Sequence, residues 1–253
     1  MNYMKGIIRR GIMDDKELAE LKNTFKLNKP FPHIILENWF PNDVLDGTLE
    51  NVLKLKDTYD WYKLCTNTSD FSPFGKEAVK LTNYLISEEW VNFLKELTGI
   101  KDLRADKKWI GAGINYEPRG AHLEPHTDFN SSENGWRRIN CLLFLSKNWI
   151  EDWGGHGELG HLEDGVFVKD VSYSPDFNKV VLFETSDISF HGFDLVKCPK
   201  NESRIVVTCY YYSDSPGPHT KNQTHTNYIG WDKKREQDNE YKNRRGTGWR
   251  EIK

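Results

Sequence analysis

The first hundred residues place apolar side chains at helical spacing. Residues 14–26, DDKELAELKNTFK, put Leu18, Leu21 and Phe25 on one face behind two acidic residues, which predicts an amphipathic helix with a favourable first turn. Residues 42–56 and 87–100 repeat the pattern, and the latter is flanked by a capping Ser87 and a terminating Gly99. The run PFPHIILENWF (30–40), fenced by prolines, predicts a short strand.

The hydrophobic pattern changes from Lys108 onward. Short runs rich in β-branched and aromatic residues alternate there with Gly, Pro, Asn and Asp, and they are KWIGAGINYEP, RRINCLLFLS, GVFVKDVSY, NKVVLFET and SRIVVTCYYYS. Such punctuation is typical of a β-sandwich or barrel. We therefore predict one α+β domain, in which a mainly helical support region (1–107) braces a β core (108–213). A polar C-terminal tail (214–253) is expected to wrap the surface or fray.

Composition narrows the class of protein. The chain has 253 residues, a net charge of −3 and 37% hydrophobic residues, which indicates a globular protein without the basic footprint of nucleic-acid or membrane binding. The apolar runs are too short to span a bilayer. The start, MNYMKGIIRRG, lacks the apolar h-region and the small-residue cleavage site that are expected of a secretion signal. Four cysteines without a CxxC pair favour a reducing, cytoplasmic setting.

The segment AHLEPHTDFN (121–130) contains two histidine–carboxylate pairs, His122 with Glu124 and His126 with Asp128. Residues i and i+2 of a strand project from one face, so either pair suits a cation. The other histidines are less suggestive. His156 and His161 are rival ligands in GGHGELGHL, which reads as a Gly-rich surface loop, while three more have no converging acids and are expected to be structural or exposed (His33, His219 and His225).

Two residues further along the chain complement the candidate metal ligands. His191 follows in ISFHGFDLV, and Arg204 begins an otherwise apolar or aromatic strand. A buried arginine is costly unless it meets an anion. Two histidines and one carboxylate form the facial triad of non-haem iron oxygenases, and an arginine suits the carboxylate of a co-substrate.

From about residue 31 to 218 the chain resembles the Fe(II)/2-oxoglutarate-dependent dioxygenases of the prolyl-4-hydroxylase type. The resemblance rests on the joint order of INYEPRGAHLEPHTDF, RRINCLLFLSKNW, WGGHGEL, FNKVVLFETSDISFHGF and SRIVVTCYYYS. It implies a double-stranded β-helix (jelly roll) core braced by the N-terminal helices. The iron ligands implied are His126, Asp128 and His191, and Arg204 would anchor the distal carboxylate of 2-oxoglutarate.

The resemblance also implies further residues that contact the co-substrate. Tyr116, Thr208 and Asn140 are expected to help bind 2-oxoglutarate. Two positions depart from relatives, since Val206 and Phe144 stand where many have a hydroxyl-bearing side chain. Further inward-facing positions are expected on the same strands (Leu142 and Tyr210), and substrate contact or solvent exposure is open for Arg137 and Arg138.

The implied reaction is hydroxylation of an aliphatic C–H bond, with release of succinate and CO2 and with ascorbate as an optional addition. Asp128 favours hydroxylation, because related halogenases lack the carboxylate ligand. The substrate would be a proline-like amino-acid side chain, free or peptidyl, or a small metabolite. Two alternatives stay open at this point, a zinc-dependent hydrolase and a non-catalytic jelly roll that binds carbohydrate or protein. The sequence leaves the substrate and the oligomeric state undetermined.

Overall fold

The computed structural model describes residues 14–61, 65–66 and 68–229, so the tail beyond residue 229 lies outside the described residues. The described residues form four α-helices and twelve strands. The helices are α1 (Asp15–Leu27), α2 (Asn42–Leu55), α3 (Gly75–Leu85) and α4 (Glu88–Thr98). None of these helices is long and apolar enough to cross a bilayer.

Local capping explains where α1 begins and where α4 begins and ends. The Asp14 side chain accepts a hydrogen bond from the Glu17 N–H at the start of α1. The Ser87 side chain does the same for the Trp90 N–H at the start of α4. Gly99 then adopts a left-handed conformation, with φ of 77°, that ends α4 at little steric cost. These sequence predictions are confirmed.

Seven strands form the major sheet: β1 (His33–Glu37), β2 (Arg104–Ala105), β3 (Gly113–Pro118), β5 (Ser131–Ser132), β6 (Gly135–Phe144), β9 (Lys179–Glu184) and β11 (Ser203–Ser213). The main order is β1-β9-β6-β11-β2, with β3 also paired to β11 and β5 to β6. Strand β1 therefore ties the predicted support region into the sheet. All of these pairs are antiparallel.

Five strands form the minor sheet, in the order β12-β4-β10-β7-β8. Their bounds are β4 (Leu123–Thr127), β7 (Gly157–Glu163), β8 (Val166–Tyr173), β10 (Phe190–Phe193) and β12 (Asn227–Tyr228). The prediction of a Gly-rich loop at GGHGELGHL is wrong over most of its length, because residues from Gly157 onward form β7. The tail also contributes, since β12 pairs with β4.

The two faces of the major sheet pack against different parts of the protein. On one face, apolar side chains of β6, β9 and β11 pack against the helices in a single large cluster. On the other face, a smaller cluster joins the two sheets and contains Phe144, Val181 and Val206 of the major sheet with Leu159 and Tyr173 of the minor sheet. The α+β jelly-roll prediction is confirmed, and over the described residues the two sheets do not close into a barrel.

Candidate active site

Three potential metal ligands meet on neighbouring strands of the minor sheet. His126 lies on β4 and His191 on β10, and the two residues are direct cross-strand partners. Asp128 follows the last residue of β4. A Cβ added at Gly192 would lie 2.6 Å from the Leu123 carbonyl oxygen, so glycine there permits the close approach of β4 and β10.

The geometry of these side chains suits one small cation. Their ligand atoms all lie within 4.8 Å of one another, and all three residues are buried. Asp128 Oδ1 is 3.7 Å from His126 Nε2, and Asp128 Oδ2 is 3.8 Å from His191 Nε2. The Nδ1 atoms instead lie 2.8 Å and 3.0 Å from the carbonyl oxygens of Glu124 and Ser189. Donation from Nδ1 leaves each Nε2 lone pair available to a metal.

Electrostatics keep the donors in their binding forms. Burial, followed by the neighbouring His126, lowers the pKa of His191 to about 4, so its imidazole is neutral near pH 7. Burial by itself would raise the pKa of Asp128, but His191, His126 and Arg137 together hold it below its ordinary value. A neutral imidazole and an ionised carboxylate are the forms that bind a divalent metal.

Two residues of β6 contact the candidate carboxylate ligand. Asn140 Nδ2 donates a hydrogen bond to Asp128 Oδ2 at 3.0 Å. Arg137 Nη1 lies 3.8 Å from Asp128 Oδ1. The guanidinium of Arg137 is enclosed between the rings of Phe129 and Tyr210, at 3.5 Å and 3.4 Å from their centroids. The orientation of Asp128 is therefore fixed by the central strands of the major sheet.

The three candidate ligands open onto a cavity of about 350 Å³ between the sheets. Arg204 of β11 also lines this cavity and is buried. Its Nε donates to the Gly155 carbonyl oxygen at 2.9 Å, and its Nη1 donates to Glu117 Oε2. Val206, Thr208 and Tyr210 line the cavity from the same face of β11.

The donor set fits Fe(II). Two imidazoles and one carboxylate with coordination positions left open are typical of non-haem iron sites. The fixed Nδ1 hydrogen bonds and the Asn140–Asp128 contact supply the outer-shell support that such sites require. A buried guanidinium in the same cavity fits a co-substrate that carries a second carboxylate.

Comparison with known proteins agrees with this geometry. Residues 112–212 match the family model described as the 2OG-Fe(II) oxygenase superfamily, and this segment includes all three candidate ligands and Arg204. The chain carries a 2OG-Fe(II) oxygenase domain.

Curated relatives extend the match beyond this domain. Prolyl 3-hydroxylase OGFOD1 of Mus musculus is 30% identical over 194 residues, which are 74% of this chain and 33% of that protein. The Xenopus laevis protein of the same name is 26% identical, over 74% of this chain and 36% of its own length. The chain thus spans about a third of the length of the curated relatives it matches.

Solved structures share the fold at low sequence identity. A prolyl hydroxylase from Trichoplax adhaerens, in complex with a peptide fragment of the oxygen degradation domain of hypoxia inducible factor, aligns with a TM-score of 0.55 at 18% identity. The alignment covers 79% of this chain and 92% of that one. A prolyl 4-hydroxylase from Phytophthora capsici gives 0.53 at 20% identity, over 83% and 70% of the two chains.

The cavity between the sheets, onto which His126, Asp128, His191 and Arg204 open, is called the oxygenase cavity from here on. Not every residue that was predicted to bind the co-substrate lies in it. Thr208 and Asn140 line it, but Tyr116 is not among its lining residues. The Tyr116 ring stacks on Trp61, with centroids 5.4 Å apart. Its neighbour Asn115 lines the cavity instead and donates from Nδ2 to Thr208 Oγ1 at 2.8 Å. Successive side chains of β3 point to opposite faces of the major sheet. Asn115 therefore faces the cavity, whereas the next residue, Tyr116, faces the helices.

The rival histidines do not converge on a second metal site. His156 Nε2 lies 3.3 Å from Glu151, and His161 Nδ1 lies 2.6 Å from Asp170 at the exposed edge of the minor sheet. Within the described residues, the only cluster with metal-binding spacing is the one formed by His126, Asp128 and His191. His122 is buried and lines the oxygenase cavity.

The two arginines left open by the sequence are both buried. Arg137 lines the oxygenase cavity. Arg138 faces the other way, where its Nη2 donates to Glu184 Oε1 at 2.9 Å. A solvated role is therefore wrong for both residues.

Sequence reasoning missed several contributors to the cavity wall, among them residues of β12 and β3. Tyr228 of β12 stacks on the His126 ring, with centroids 5.1 Å apart, and lines the cavity together with Thr226. Glu117 lines the cavity beside Arg204. The only sequence signal for Glu117 was its place on the strand before the metal-ligand segment, and Tyr228 lies in a polar stretch that gave none.

Proposed function

We propose that this chain is an Fe(II)- and 2-oxoglutarate-dependent dioxygenase that hydroxylates an aliphatic C–H bond of a proline-like residue. The observation that carries the proposal is the convergence of His126, Asp128 and His191 on a buried cavity that Arg204 also lines. The oxygenase domain match and the prolyl hydroxylases among the relatives support the same reaction.

One group of side chains would bind the metal, and a second group would bind the co-substrate. His126, Asp128 and His191 would hold Fe(II), and Asn140 would keep the Asp128 carboxylate oriented. Arg204 would bind the distal carboxylate of 2-oxoglutarate. Thr208, with Asn115 in place of Tyr116, supplies neutral polar groups on the same wall. When bound, Fe(II) and 2-oxoglutarate supply the oxidising chemistry, in which succinate and CO2 are released.

A peptidyl proline is the substrate class that we favour. The Trichoplax relative was solved with a peptide, and the curated relatives are named as prolyl hydroxylases. The proline itself would lie between the candidate metal site and the wall formed by His122, Leu123 and Tyr228, which line the same cavity. A reducing, cytoplasmic setting is proposed with it, supported by four free and buried cysteines.

The decisive experiment combines turnover with product detection. Purified protein is incubated with Fe(II), ascorbate, 2-oxoglutarate and a library of proline-containing peptides, free amino acids and metabolites. We expect succinate release and a product heavier by one oxygen atom, both abolished in His126→Ala. Glu163→Gln, a change at an exposed position on β7, is the matched control and should retain full activity.

Metal content tests the principal alternative. A protein that retains zinc, neither binds nor turns over 2-oxoglutarate and hydrolyses a test ester or amide would be a hydrolase, and the proposal would then be abandoned. Absence of any thermal stabilisation by 2-oxoglutarate with Mn(II) would instead indicate a binding module, because a ligand that binds the folded state must stabilise it.

A further inference from the structure

Arg204 already has a carboxylate partner within the chain. Glu117 on β3 and Arg204 on β11 are direct cross-strand partners, so their side chains project from the same face into the cavity. The Glu117 Oε2 atom accepts a hydrogen bond from Arg204 Nη1. Only 9% of Glu117 and 3% of Arg204 are exposed, so the pair is shielded from water.

The other direct contacts of Arg204 in the described residues are with neutral groups. Its Nε donates to the Gly155 carbonyl oxygen, and the rings of Phe193 and Phe144 lie 4.1 Å and 4.9 Å from the guanidinium carbon. Within the described part of the chain, Glu117 is the carboxylate that lies within ion-pair distance of Arg204. Glu117 therefore balances the buried charge.

A second carboxylate that binds Arg204 through two donors must share at least one of them with an existing partner. A planar guanidinium binds a carboxylate best through two parallel N–H donors. The Nε atom already donates to a backbone carbonyl oxygen, and Nη1 already donates to the Glu117 carboxylate. An incoming carboxylate that binds end-on must share Nη1 with Glu117, and two anions on one buried cation repel each other.

We propose that Glu117 is a resident counter-ion of Arg204 that competes with the distal carboxylate of 2-oxoglutarate and so sets the affinity for the co-substrate. This inference rests on the role proposed above for Arg204. Glu117 must swing away or take up a proton when the co-substrate binds. Burial raises the pKa of Glu117, although Arg204 acts in the opposite direction, which makes proton uptake accessible.

The competition has a second consequence for the folded protein. In the absence of co-substrate, Glu117 keeps the Arg204 charge paired, and a buried charge without a partner is strongly destabilising. The Glu117→Gln variant is therefore expected to have a lower Tm than the parent without ligand, and to be stabilised more by 2-oxoglutarate.

The test measures binding and does not depend on turnover. Mn(II) is used as a redox-inactive metal, and the Kd of 2-oxoglutarate is determined by calorimetry for the parent protein and for Glu117→Gln. The comparison ligand is 2-oxopentanoate, which has the same chelating end and chain length but no distal carboxylate. We expect Glu117→Gln to bind 2-oxoglutarate about tenfold more tightly, which corresponds to about 1.4 kcal/mol, and 2-oxopentanoate with an unchanged Kd.

Glu184→Gln is the matched control. It removes the carboxylate of another buried arginine pair, with Arg138 at 2.9 Å. This pair lies on strands β9 and β6 of the same sheet and away from the cavity lining. Its Tm should fall while its Kd for 2-oxoglutarate stays at the parent value. If Glu117→Gln does not fold, Glu117→Asp withdraws the carboxylate by one methylene and should show a smaller gain in the same direction.

The outcomes separate this inference from the proposed function. Equal or weaker binding of 2-oxoglutarate by Glu117→Gln, with binding by the parent intact and lost in Arg204→Gln, overturns the role of Glu117 alone. If neither the parent nor Glu117→Gln binds 2-oxoglutarate while both bind Mn(II), the function proposed for Arg204 fails and this inference fails with it. Tighter binding confined to 2-oxoglutarate supports the competition.

Discussion

Asn140 connects the candidate metal ligands to the most constrained strand of the sheet. Its amide donates to Asp128 Oδ2 at 3.0 Å. Strand β6 is paired on both sides, and Asn140 lies between Phe183 and Tyr210 in the ladder. The amide therefore cannot shift without disturbing two neighbouring strands. This contact makes Asn140 a positioning residue for Asp128, a role that the sequence reading had placed at the co-substrate.

Replacement of Asn140 by leucine is predicted to weaken metal binding. Loss of a hydrogen-bonding partner of a ligand typically reduces metal affinity by about 10- to 100-fold, so we expect Mn(II) to bind Asn140→Leu at least about tenfold more weakly. Titration followed by electron paramagnetic resonance measures this change. Leu142→Val, on the same strand and facing the same cavity, is the control and should bind Mn(II) like the parent. Normal Mn(II) affinity with weakened 2-oxoglutarate binding would restore the co-substrate role instead.

At the scale of elements, the segment around β12 is a structural wall of the site. Asn130 Nδ2 donates to the Asn222 carbonyl oxygen at 2.8 Å, and Asn130 Oδ1 accepts from the Thr224 N–H at 2.9 Å. Asp187 Oδ2 accepts from the Lys221 N–H at 2.9 Å. These contacts lead the chain back to β4, where Tyr228 pairs with His126. A few side chains thus hold an otherwise polar segment against the metal-ligand strand.

Removal of the Asn130 side chain is predicted to release this segment. Asn130→Ala deletes two hydrogen bonds to the backbone of residues 222 and 224, each worth about 0.5–1.5 kcal/mol. We expect amide hydrogen exchange over residues 222–229 to accelerate by about tenfold or more, with the major sheet unaffected. Thr224→Ala is the control, because its bonds to Asn130 use the backbone. Unchanged exchange in Asn130→Ala would mean that β12 pairing alone holds the segment.

At the scale of the whole molecule, the helices and the jelly roll share one core. Tyr211 of β11 donates from its hydroxyl to the Leu85 carbonyl oxygen at 2.8 Å, and the same hydroxyl accepts from Trp90 Nε1 at 2.7 Å. All of these residues are fully buried. The hydroxyl therefore joins the end of α3 and the first turn of α4 to strand β11 of the major sheet. Helical and β regions are expected to unfold together.

Tyr211→Phe is predicted to destabilise the whole domain. The variant leaves the Trp90 donor and the Leu85 acceptor without this partner, and an unsatisfied buried polar group costs about 1–3 kcal/mol. We expect the free energy of unfolding to fall by about 2–4 kcal/mol in a single transition, measured by urea denaturation and far-UV circular dichroism, with Mn(II) binding retained.

Tyr84→Phe provides the control for this change. The Tyr84 side chain is equally buried, but its hydroxyl has no hydrogen-bond partner within the described residues. Its removal should leave the stability unchanged or raise it slightly. Two separate unfolding transitions in Tyr211→Phe would contradict a shared core.

Elements with strong local signals were predictable from the sequence. Helices α1 and α4 were predictable from their acidic and Ser caps, the helical spacing of apolar residues and a terminating glycine. Strands β6, β9 and β11 were predictable from their apolar runs. Strands β4, β7 and β10 were harder to predict, because their His, Gly, Pro and charged residues interrupt the apolar alternation. Strands β4 and β10 line a polar site, so the chemistry of that site interrupts the apolar pattern that would otherwise reveal these two strands.

The sequence by itself determined which residue types are available for iron and co-substrate chemistry, and in what order along the chain, because that order is a property of the covalent chain. Only the tertiary structure decided which faces they occupy. Register paired His126 with His191 and Glu117 with Arg204, and it turned Tyr116 toward Trp61. A shift of one residue moves a side chain to the opposite face of a sheet, and register depends on contacts between strands that are distant in sequence.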